Sequence, residues 1–152
     1  MEYARNVSGI RDAAHLEYEA IAGTPLIVPV SCPVTERPEG APMLWGKLKI
    51  KLAHDSLAFH IYQRSEIQEA FNCNYGLNPR FRKKIEQAGL QVTGVGENGE
   101  ARIVELNNHC FFLATGFQPQ LTSQEGHPHP LIVAYLGATK NFREAGGVEP
   151  KI

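Results

Sequence analysis

The chain has 152 residues, one domain's worth, with Lys+Arg 15 against Asp+Glu 16. That balance gives no reason to expect nucleic acid or an anionic membrane as a partner, and no apolar run is long enough to span a bilayer. Three cysteines, Cys32, Cys73 and Cys110, are odd in number, far apart and without a C-x-x-C pair, which points to a reducing, cytoplasmic setting rather than a disulfide scaffold or zinc site.

In chain order, Met1, Ala4 and Val7 share one face at helical spacing, and Gly9 supplies a stop. Residues 10–24 read as short irregular structure. PLIVPVSC, from Pro25, is strand-like, with Pro29 favouring an edge or bulge. TERPEGAP reads as a loop. In MLWGKLKIKLAH, Leu48, Ile50 and Leu52 alternate with Lys47, Lys49 and Lys51, the pattern of a half-exposed strand. DSLAFHIY suits a short helix capped by Asp55 or Ser56. IQEAFNCNYGL reads as extended.

Asn78-Pro79 opens the clearest helix, with Phe81, Ile85 and Ala88 inward and Gly89 at its end. Arg80, Lys83 and Lys84 form its solvated face. LQVTGVG and ARIVEL, joined through Asn98-Gly99, predict a hairpin, and CFFLATGF a third strand beside it. Pro130 starts a closing helix in HPLIVAYLGATKNF. Helices, a hairpin and buried strands together give an α/β domain over 1–145, with 146–152 as a tail.

Two segments resemble one family. EYARNVSGIRDAAHLEY resembles the stretch after the nucleophile in the glutaminase half of CTP synthase. NYGLNPRFRKKIEQAGLQVTGVGENGEARIVELNNHCFFLATGFQPQLTSQEGHPHPLIVAYLGA is similar to that enzyme's final stretch. The resemblance spans residue 2 to about residue 138 and implies the class I glutamine amidotransferase fold: a flavodoxin-like, mostly parallel sheet with flanking helices and an added β-hairpin. In the implied chemistry, a cysteine thiolate attacks the glutamine amide, a His moves the proton and an acid holds the imidazole. The nucleophile elbow, a Gly-x-Cys-x-Gly turn, would precede the first helix. Met1 already aligns inside that helix, so the fold's N-terminal strands are expected to be missing, and none of the three cysteines aligns with the nucleophile.

FFLATGFQPQ carries the largest departure. Gln118 stands where the family has its general base His, and Gln120 where it has the orienting Glu. A carboxamide cannot take up a proton at working pH, so the resemblance implies a chain without glutaminase activity. Glu17 matches the family's contact to the α-amino group of glutamine, against the plain alternative of an exposed acid near a helix end. Asn74 replaces the Arg that grips the α-carboxylate, and an amide lacks both the charge and the two-pronged fork. AFNCN replaces a basic run. These shared substitutions resemble a smaller set of catalytically degenerate proteins related to the CTP synthase C-terminal region.

Among the cysteines, Cys73 is the best candidate for a functional thiol. His127 and His129 invite a metal reading, but no further His or Cys cluster lies nearby, so no metal is expected. No Gly-x-x-x-x-Gly-Lys loop is present, and no cofactor is implied. Two readings stay open: an amidotransferase component of pyrimidine nucleotide synthesis, and a non-catalytic module binding glutamine, a related small molecule or a partner chain. Apolar surface left open by absent strands implies self-association or a covering partner.

Overall fold

The computed structural model describes residues 1–18, 23–29 and 45–147. Cys32, the TERPEGAP loop and the end of the tail lie outside them. The elements in chain order are α1 (Glu2–Asn6), β1 (Ala13–His15), β2 (Thr24–Pro29), β3 (Trp45–Leu52), α2 (Leu57–Tyr62), β4 (Glu66–Asn72) and β5 (Tyr75–Leu77). α3 (Pro79–Gln87), β6 (Leu90–Val95), β7 (Ala101–Leu106), β8 (Leu113–Thr115), a 3₁₀ turn (Pro119–Leu121) and α4 (Pro130–Glu144) follow.

The strands form two sheets, ordered β1-β2-β5 and β4-β3-β6-β7-β8. The expected α/β fold with flanking helices and an added hairpin holds, with parallel pairing among the described residues confined to β1 and β2. Strands β6, β7 and β8 turn back through connections too short for a parallel crossover, so they pair antiparallel. Its hairpin turns at Gly99, whose φ of 78° suits a residue without a side chain. Further along β6, the ladder to β7 slips its register around Gly94. A Cβ there would stand 2.7 Å from the Ile103 side chain, so only glycine lets the two strands close.

Two apolar clusters form the core. One gathers Ile50, Leu52, Ile67, Phe71, Ile103, Phe117 and Leu131 beneath α2 and α4. The other joins Ala4 of α1, Ile10, Ala13, Leu26 and Ile85 of α3. Lys47, Lys49 and Lys51 are exposed while Ile50 and Leu52 are buried, as the alternation predicts. Asn78 caps α3 by accepting from the Arg80 amide at 3.1 Å, and its Nδ2 donates to Pro25 O at 2.8 Å, fastening helix to β2.

Two expectations need correcting. Residues 10–24 contain a strand, β1, short because its ladder to β2 runs only from Ala13 to His15. The third strand of the meander is shorter than CFFLATGF. The His109 amide donates to Leu106 O at 3.4 Å and the Phe111 amide to His109 Nδ1 at 3.2 Å, so these groups close a turn and pairing resumes only at Leu113.

Candidate functional site

β8 ends at Thr115; Phe117, two residues on, is buried at 2% exposure, and this delivers Gln118 to the end of β4. There the Gln118 amide donates to Ala70 O at 3.2 Å. Its side chain engages both backbone groups of Asn72: Oε1 accepts from the amide at 2.6 Å and Nε2 donates to the carbonyl at 3.3 Å. The carboxamide stands in for one residue of a neighbouring strand. Gln120 lies two residues on, exposed on the 3₁₀ turn.

Asn72 leads through Cys73 and Asn74 into Tyr75, the first residue of β5, which pairs with Pro29 of β2. β1 and β5 lie on opposite sides of β2, and the rings of His15 and Tyr75 reach toward each other across it. The His15 ring lies 4.9 Å from the Tyr75 ring and 5.1 Å from that of Tyr18. His15 Nδ1 accepts from the Glu17 amide at 3.2 Å, which assigns the proton to Nε2. Glu17 and Tyr18 are exposed beside it. A hydrogen bond to Glu17, and then that carboxylate's charge, hold the Tyr18 phenol above its usual range. Contacts thus run from Gln118 to the Asn72 backbone and from Glu17 through His15 to Tyr75, with Asn74 in the chain between Asn72 and Tyr75.

Cys73 braces the turn between β4 and β5. Its thiol donates to Tyr75 O at 3.3 Å and accepts from the Tyr75 amide at 3.5 Å. Cys110 is exposed, with Sγ 3.7 Å from His109 Nδ1. His127 is exposed in a tight turn bridged to Gln124. Among the described residues, no group of three His, Cys, Asp or Glu side chains could hold a metal ion.

A buried polar cluster, missed in the sequence reading, lies beneath the site. Glu69 and His129 are 5% and 4% exposed. His129 Nε2 donates to the Glu69 carboxylate at 3.1 and 3.2 Å, and the Tyr62 hydroxyl donates to the same group at 2.5 Å. His129 Nδ1 accepts from the Leu131 amide at 3.2 Å, capping α4, while its own amide donates to Ser123 Oγ at 3.1 Å. One carboxylate thus ties β4, α2 and the start of α4 together. Burial first, then the hydrogen bond to Glu69 and its charge, push the Tyr62 phenol far above its usual range. The available signal was Glu69 itself, an acid at a core-facing position between Ile67 and Phe71.

No protein-family model matches the chain. It is 33% identical to CTP synthase of Fibrobacter succinogenes over 99% of its own length and 27% of that protein's. With CTP synthase of Sulfolobus acidocaldarius it shares 34% identity over 90% of its length and 26% of the relative's. The chain therefore spans about a quarter of the length of these curated relatives. A solved structure of the Trypanosoma brucei CTPS glutaminase domain with bound acivicin matches with a TM-score of 0.80 at 24% identity, covering 92% of this chain and 55% of that one. The chain is thus a relative of CTP synthases over a quarter of their length, with the fold of a CTP synthase glutaminase domain.

Proposed function

We propose that this chain is a glutaminase-like module of CTP synthase ancestry that binds glutamine or a related small amino acid without hydrolysing it. The observation supporting this is the state of Gln118. It is a neutral carboxamide with both ends bound to the Asn72 backbone, so it fastens a strand where the resemblance calls for a proton carrier. Glu17 would receive the ligand's α-amino group and Asn74 its carboxylate, through a neutral and therefore weaker contact. No metal or cofactor enters this reading. The same proposal includes self-association, or a partner chain, over the apolar outer face of α4, where Val133, Tyr135 and Leu136 are 50%, 56% and 60% exposed.

The purified chain incubated with glutamine should release no ammonia above a blank, while calorimetry registers glutamine binding that Glu17→Ala weakens. Gln118→His should also release none. The imidazole gains no acidic neighbour at Gln120, and Cys73, next to Asn72 in sequence, is engaged with the Tyr75 backbone. Loss of a triad member alone costs about 10⁴ in rate. Ammonia release that disappears on replacing Gln118 would overturn the reading.

A further inference from the structure

β1 ends at His15, whose half-buried ring does two things at once. Its Nδ1 accepts from the amide of Glu17, two positions on, and its face meets the rings of Tyr18 and Tyr75. Nε2 has no hydrogen-bond partner among the described residues. One imidazole thus joins the Glu17 backbone to Tyr75 of β5.

The bond to Glu17 uses the Nδ1 lone pair, so it exists only while the ring is neutral. An imidazolium donates at both nitrogens, and its Nδ1–H would face the Glu17 N–H head on. The titratable neighbours of the ring among the described residues are Glu17 and Tyr18 in the following turn and Tyr75 on β5. β2 sets Ile27 beside it and adds no charge. The carboxylate next to a charged His15 is therefore that of Glu17 itself.

We propose that His15 is a pH-sensitive positioning residue for Glu17. Neutral His15 fixes the Glu17 backbone and so places the exposed carboxylate that a ligand's α-amino group would meet. Protonated His15 releases the amide and attracts the carboxylate, which draws the anion from ligand to ring. Affinity for glutamine therefore declines as pH falls through the range where histidines change charge, about 5 to 8. One exposed hydrogen bond bears on affinity by about threefold to tenfold. The effect on affinity rests on the glutamine-binding reading, whereas release of the Glu17 amide does not.

Two titrations of the full chain test this. Without ligand, NMR follows the His15 ring and the Glu17 amide from about pH 8 down to about pH 5. Both should shift with one midpoint, and the protection factor of the Glu17 amide should drop on the acid side. His15→Asn keeps an acceptor for the amide two positions on, as in an Asx turn, but does not titrate. It should keep that amide protected and level in pH, while His15→Leu should leave it unprotected throughout. With glutamine, calorimetry on the parent chain should show Kd rising about threefold to tenfold over the same range. Kd should stay level in His15→Asn and be weak at every pH in His15→Leu. The proposal is overturned if the Glu17 amide ignores the His15 titration, or if His15→Asn keeps the parent's pH profile. Glutamine affinity that is level in pH while the amide shifts would overturn the positioning role. Coincident midpoints with no glutamine binding at any pH would support the His15–Glu17 switch and refute the glutamine reading instead.

Discussion

Tyr62 reports on its surroundings through its proton. Unfolded, a tyrosine ionises near pH 10.0, whereas in the folded chain burial and the Glu69 carboxylate hold this phenol protonated well beyond that. A group whose folded pKa is raised contributes stability that is complete below its unfolded value and declines as pH climbs past it. Stability should therefore fall above pH 10, and Tyr62→Phe should flatten that part of the decline. In phenolate absorbance, Tyr62→Phe should leave the amplitude of the titration step near pH 10 unchanged, because this phenol keeps its proton through that range. Neither effect could be read from the sequence, because Tyr62 and His129 are 67 residues apart and meet only after β4 and α4 have docked. Glu69, an acid among core residues, was the one visible sign. The resemblance sets Gln118 at the position of the family's general base, but its contact with the Asn72 backbone, 46 residues away, could not be read from the sequence.

At the scale of single elements, local chemistry dominates and the sequence was correspondingly informative. The Asn98-Gly99 hairpin, the lysine alternation of β3 and the Asn78-Pro79 start of α3 each rest on contacts within a few residues. β8 was overestimated because a histidine ring took the Phe111 amide, a competition that apolar content does not reveal. The same local logic gives a stability test at Ser56. Its Oγ accepts from the Phe59 amide at 3.0 Å and donates to Ala53 O at 2.6 Å, and the residue is 3% exposed. Ser56→Ala should cost about 1–2 kcal/mol in denaturant unfolding with an unchanged slope on denaturant.

For the molecule as a whole, α4 has an unusual balance. It holds fifteen residues, yet Leu131 is its one buried position. With Val133, Tyr135 and Leu136 open to solvent, the proposed self-association predicts a sedimentation coefficient that rises with concentration. Leu136→Lys should reduce that rise without lowering the unfolding midpoint, since the side chain contributes little to the core. Glu105 carries a different consequence, one of timing. From its place on β7 it accepts the first two amides of α2, Leu57 and Ala58, both at 2.9 Å and nearly fifty positions earlier in the chain. Six residues are too few to hold a helical turn unaided in water. The α2 helix must therefore wait for the distant meander to assemble, and it belongs to the late side of the folding barrier.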